Sequence, residues 1–103
     1  MSQVEIEIRL IIAKIKLYIE QCGGDYRNWY VGITSDLEER LFEGHKIREN
    51  DLHTSEKASN SDVARAVENH FINKLKTQGG PGGGDATAKF VYAYKVKSYT
   101  VDE

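Results

Sequence analysis

The 103-residue sequence predicts an α+β fold, a small sheet packed with helices. Three observations carry that prediction. Apolar residues recur at three- and four-residue spacing through 4–22, the mark of a helix with one buried face. Residues 28–34 are rich in aromatic and β-branched side chains, and residues 89–97 alternate with period two; both read as strands. The length suits one domain, 1–103, made of an N-terminal helix within 1–24 and a motif-bearing α/β core at 28–97. Such a chain can bury roughly 60–70% of the surface exposed when unfolded, enough for a core without metal or disulfide staples.

In the first segment Val4, Ile8, Ile11, Ile12, Ile15, Tyr18, Ile19 and Cys22 form the stripe, and Gly23-Gly24 ends it. Residues 4–10 also alternate with period two, but the longer window fits 3.6 better. Ile6, Leu10 and Leu17 lie off the stripe, so the helix has a second apolar side, suited to a homodimer seam through residues 4–22. After the strand at 28–34, Ser35 followed by Glu38 reads as a capping box and predicts a short helix at about 36–43. Residues 49–60 are polar and unpatterned, which predicts a surface loop. A third helix is expected over 62–76 with Ser61 as its N-cap. Residues 77–86 hold five glycines and the only proline and predict an irregular connection. In the last strand Phe90, Tyr92, Tyr94 and Val96 face one way, and Lys89, Val91, Ala93 and Lys95 the other.

Composition narrows the function. With 40% hydrophobic and 29% charged residues the chain is an ordinary globular one. A single cysteine, Cys22, excludes an intrachain disulfide. No apolar run approaches the ~18 residues of a membrane span, and Glu5 and Glu7 stand where a signal peptide needs positive charge, so a cytoplasmic protein without membrane contact is expected. A net charge of −2 argues against a protein that grips phosphate backbones over a broad basic surface, yet leaves room for a local phosphodiester site.

Glu68 is the most informative residue. On a helical wheel it falls inside the arc of Val63, Ala64, Val67, Phe71, Ile72 and Leu75, where a carboxylate is expensive to desolvate unless paired or bound to a cation. The plain alternative is a salt bridge to a residue such as Arg40. Arg40 itself is either a helix arginine paired with Asp36 or Glu43, or a charged fork for a phosphate. Tyr30 is either sheet filling or a proton relay near a cation. His45, His53 and His70 lack zinc-site spacing, and the glycines at 79–84 lack the Lys-Ser/Thr of a nucleotide-cradling loop.

Taken in order, Tyr30-Val31-Gly32-Ile33-Thr34-Ser35-Asp36-Leu37-Glu38-Glu39-Arg40-Leu41 resembles the second half of the GIY-YIG nuclease signature: a strand with Tyr-x-Gly, a turn, and a helix bearing arginine. His45 and Glu68 stand where that family carries a histidine and its metal-binding glutamate, and Phe90-Val91-Tyr92-Ala93-Tyr94 closes the chain as in a small bacterial branch of it. The likeness spans residues 28–97. The family's first Gly-Ile-Tyr motif is absent, and the N-terminal helix occupies its place; Tyr18 and Tyr26 are the two tyrosines near the expected spacing. The resemblance implies a metal-dependent DNA endonuclease hydrolysing phosphodiester bonds. Tyr30, Arg40 and His45 would be catalytic and Glu68 would hold Mg2+ or Mn2+. The alternative is a catalytically inactive binding or assembly module of the same fold, homodimeric through its first helix.

Overall fold

The computed structural model describes residues 2–80 and 86–102. It is an α+β arrangement built on a three-stranded antiparallel sheet among the described residues. Helix α1 spans Gln3–Gln21, and the Ser2 side chain caps it by accepting from the Glu5 amide. The helical reading of the first segment therefore prevails over the strand reading. Ile11, Ile15 and Ile19 face inward, and the chain leaves the helix through Gly23 and Gly24, both at positive φ, where only glycine is unstrained. Ile6, Leu10 and Leu17 point to solvent.

Strand β1 (Trp29–Thr34) lies beside β3 (Phe90–Lys95), and β3 is flanked on its other edge by β2 (His53–Lys57). The last strand in sequence is thus the middle one in space. Tyr30 pairs with Tyr94 and Gly32 with Tyr92 across one ladder, and His53 pairs with Tyr94 across the other. The alternation expected for residues 89–97 holds. Val91 and Ala93 join Trp29, Val31 and Ile33 in the core under the helices, while Tyr92 and Tyr94 join Tyr30, Leu41 and Ile47 on the opposite face.

Strand β2 replaces part of the loop expected at 49–60. Its sequence, His-Thr-Ser-Glu-Lys, has no apolar signal because an edge strand needs only backbone pairing on one side, and charges there discourage further pairing. It is fastened to α1 by Lys14–Glu56 at 3.6 Å and by the His53 amide donating to the Tyr18 hydroxyl at 3.1 Å. The helix expected at 36–43 is also different. Asp36, not Ser35, caps it by accepting from the Glu39 amide, and Glu39–Gly44 is a π-helical turn. Ser35 loses the cap because Thr34 Oγ1 takes the Asp36 amide and turns the chain one residue later.

Helix α2 spans Ser61–Asn73, shorter than the expected 62–76, and Asn60 rather than Ser61 caps it through the Val63 amide at 2.9 Å. Its end is a left-handed turn at Lys76, with the Thr77 amide donating back to Phe71 O. That reversal lays Gln78 along the free edge of β1, in a parallel bridge to Tyr30. Gly79 is required there: a Cβ would come within 2.8 Å of Val31 O. Of the glycine-rich connection, residues 81–85 lie outside the described residues. No helix among the described residues is long and apolar enough to cross a membrane.

Candidate active site

The face of the sheet turned away from α1 and α2 carries three tyrosine rings. Tyr30 stacks on Tyr94 with centroids 5.3 Å apart, and the His45 ring sits 4.6 Å from Tyr30 and 4.8 Å from Tyr94. Tyr92 extends across β1. It can do so because residue 32 is glycine: a Cβ there would stand 2.6 Å from Tyr92 Cζ. The glycine of Tyr-x-Gly is therefore a clearance for the ring of the neighbouring strand.

The π turn brings the next two groups in. In a regular α-helix residues five apart point about 140° away from each other. Here the His45 amide donates to Arg40 O at 2.8 Å, the wider closure of a π turn, and both side chains converge on one atom. Arg40 Nε–H donates to Tyr92 Oη at 3.2 Å, and Tyr92 Oη lies 2.6 Å from His45 Nε2.

The hydrogens in this chain have a forced direction. His45 Nδ1 is 2.6 Å from Val101 O, and a carbonyl only accepts. Nδ1 therefore carries the ring proton, Nε2 is the acceptor, and the Tyr92 hydroxyl donates to it. Arg40 can only donate to Tyr92. The sequence Arg40 to Tyr92 to His45 to Val101 is a one-way series that leaves Tyr92 Oη one lone pair. His45 is fully buried, and burial first, then the Arg40 charge, holds its pKa below the usual range against the raising effects of Val101 O and Asp102. Burial pushes the Tyr92 hydroxyl up to about 12, although Arg40 pulls the other way. At neutral pH both rings are neutral.

Tyr30 belongs to the cluster but not to the series: its ring packs on His45, and its hydroxyl feels Arg40, which lowers a pKa that burial raises. Arg40 forms no ion pair with Asp36, Glu43 or Glu68. Glu68, on the sheetward face of α2, is 1% exposed. Its partner is Arg65, one turn earlier, with Nη1 3.7 Å from Oε1, and Oε1 has no hydrogen bond among the described residues. Burial pushes its carboxyl up to about 7, only partly countered by Arg65. Glu68 is close enough to raise the pKa of both Tyr30 and Tyr92.

Neither tyrosine proposed for the missing motif is here. Tyr18 packs edge-on against Trp29 on the helical side of the sheet, and Tyr26 donates to Glu20 at the surface. The tyrosine that joins Tyr30 in the cluster, bonded to both Arg40 and His45, is Tyr92. The sequence signal for it was the alternation of β3, which gives its face but not its partner strand. Asp102, whose carboxylate accepts from Tyr94 Oη at 2.6 Å, carried no signal at all.

Among the described residues no three His, Cys, Asp or Glu side chains are placed to hold a metal ion. A cation held here would have one protein ligand. Glu68 Oε1, which has no hydrogen bond, fits that arrangement, with water and substrate oxygens completing the shell, as magnesium is often held. Beside Arg40 opens a cavity of about 350 Å³ whose walls carry Asp36, Glu39 and Glu43, carboxylates that would repel an anion. No protein-family model, curated protein or solved structure matches the chain significantly.

Proposed function

We propose that the protein is a GIY-YIG-like, metal-dependent DNA phosphodiesterase in which Tyr92, from the C-terminal strand, serves as the second active-site tyrosine beside Tyr30. The observation that carries this reading is the series Arg40–Tyr92–His45 with the buried Glu68 carboxylate nearby, whose Oε1 has the Arg65 charge beside it but no hydrogen bond. Glu68 would hold a single Mg2+ or Mn2+, which supplies charge stabilisation at the scissile phosphate. Arg40 neutralises charge growing on the phosphoryl oxygens. Tyr92 takes a proton from the attacking water as it passes its own to His45 Nε2. A concerted hand-over needs no free phenolate, so the raised pKa of Tyr92 does not block it. Tyr30 packs the His45 ring in place and shares the Arg40 charge. Self-association through α1 rests on exposed Ile6, Leu10 and Leu17.

The test is metal-dependent cleavage of a panel of single-stranded, duplex and branched DNA. Magnesium should also raise the melting temperature of the wild type and leave Glu68→Gln unmoved, because a ligand of the native state alone stabilises it. Cleavage should be lost in Glu68→Gln and fall about 10²–10⁴-fold in Tyr92→Phe. Equal cleavage by wild type and Glu68→Gln would point to a contaminant.

A second reading is a non-catalytic binding or assembly module. It is favoured by the burial of Tyr30, Tyr92, His45 and Glu68 and by the acidic walls beside Arg40. No cleavage of any substrate, with no binding that weakens as salt is added, selects it.

A further inference from the structure

The segment after β3 has no place in the sheet, yet it is held at both ends. Residues 97–100 form a closed turn: the Thr100 amide donates to Lys97 O, and the Lys97 amide donates to Thr100 Oγ1, both at 3.1 Å. Tyr99 is clamped, with the Arg48 guanidinium 3.7 Å over its ring and its hydroxyl donating to Asp51. The segment then meets His45 twice through the backbone. The Val101 amide donates to His45 O at 2.8 Å, and Val101 O accepts from His45 Nδ1. One residue on, Asp102 accepts from Tyr94 Oη, which itself lies 3.1 Å from His45 Nδ1.

A surface tail anchored on a stacked arginine and ending on both the backbone and the ring of one buried histidine does more than cover it. We infer that residues 97–102 are a positioning element for the Tyr92–His45 pair: Val101 fixes the His45 tautomer and Asp102 supplies the negative charge that offsets the imidazolium formed when Tyr92 passes its proton. Without Val101 O the ring is free to carry its proton on Nε2. Tyr92 would then face a donor, its hydroxyl would have no acceptor, and the hand-over would stop although every side chain remained present. This rests on the proposed hydrolysis for its catalytic consequence, but the tautomer is a property of the resting protein.

The experiment uses the full chain and two substitutions outside the hydrolytic residues. Val101→Pro removes the amide that pins the segment to His45 O. Tyr99→Ala removes the anchor under Arg48, and Tyr99→Phe keeps the stacked ring as the conservative control. Ring-nitrogen NMR of ¹⁵N-labelled protein at neutral pH reads the tautomer directly. The wild type and Tyr99→Phe should show His45 protonated on Nδ1; Val101→Pro and Tyr99→Ala should show a mixture with Nε2–H, in folded protein by the dispersion of the same spectra. Turnover on the best DNA substrate should fall at least about tenfold with KM little changed, as when a histidine base is left in the wrong tautomer. If Tyr99→Ala, folded, keeps the Nδ1–H form at wild-type occupancy, the inference is overturned, and the same result in both variants removes it entirely. If the tautomer shifts but no form of the protein cleaves DNA, the positioning role stands and the nuclease reading fails.

Discussion

The two faces of the sheet are built from different chemistry. Under the helices, Ile11, Ile15, Ile19, Val63, Val67 and Phe71 close on Trp29, Val31 and Val91, a mainly aliphatic core in which, among the described residues, Glu68 is the buried carboxyl group. On the other face Tyr30, Tyr92, Tyr94 and His45 are as deeply buried, yet hydroxyls and ring nitrogens are joined in a directed series of hydrogen bonds. The first face gains from area removed from water, and any residue of suitable volume serves it. The second gains little from area that the first does not already supply, and it fixes orientation: along the series from Arg40 through Tyr92 and His45 to Val101 every hydrogen has one direction. The difference separates what stabilises the protein from what it can do.

The largest expected effect tests that separation. Phe71→Ala should cost about 3–5 kcal/mol in urea unfolding through the cavity it leaves. Tyr92→Phe, which keeps the ring and removes one hydroxyl, should cost only about 1–3 kcal/mol, the penalty for stranding buried His45 Nε2 and Arg40 Nε. Equal losses would mean that the polar face is structural in the same sense as the aliphatic one.

Glu68 is the exception that sharpens the contrast. Its folded pKa, about 7, lies above its ordinary 4.5, so the folded state holds the proton more tightly. Its effect is therefore favourable below pH 4.5 and is lost as pH rises toward and past 7, a fall of about 3 kcal/mol. His45 and His70, both held below their ordinary range by burial, act with the opposite sign and lose stability as pH falls. The difference between wild type and Glu68→Gln, followed by denaturation from pH 4 to 8, isolates the carboxyl. Glu68→Gln should be the more stable protein at pH 8, with the gap closing toward pH 4. A gap independent of pH would place the charged carboxylate in a compensated site.

The smallest effect concerns the outer side of α1. Leu10 is 56% and Leu17 61% exposed, so Leu10→Glu should leave monomer stability within about 0.5 kcal/mol. Sedimentation at micromolar concentration should show wild type heavier than 11.7 kDa and Leu10→Glu at that mass. A wild type already at 11.7 kDa would remove the dimer.

The aliphatic face was legible in the sequence because periodicity reports burial. The stripe of α1, the arc of α2 and the alternation of β3 all carried through. Glu68 stood out as a polar residue breaking an apolar pattern, and it is buried as its position required. What could not be read depends on groups whose partners are distant in sequence. Tyr92 became visible only when β3 was found between the two other strands, and Asp102 only when the tail was seen to return to Tyr94. Strand β2 was hidden by its polar residues, which edge pairing tolerates. The convergence of Arg40 and His45 depends on a π turn that helical-wheel arithmetic excludes.

Placing the middle strand last has a consequence for synthesis. Neither β1 nor β2 has a strand partner until residues 90–95 leave the ribosome, and chains emerge at about 5–20 residues per second. Until then α1 and α2 can pair, but the part of their apolar core that Val91 and Ala93 complete, and the strand edges that β3 joins, await cover. The same strand brings Tyr92, so the hydrogen-bonded series from Arg40 to His45 is completed in the step that closes the sheet. A nascent chain stalled before β3 would be sticky, with its tyrosine cluster incomplete, a natural client for chaperones.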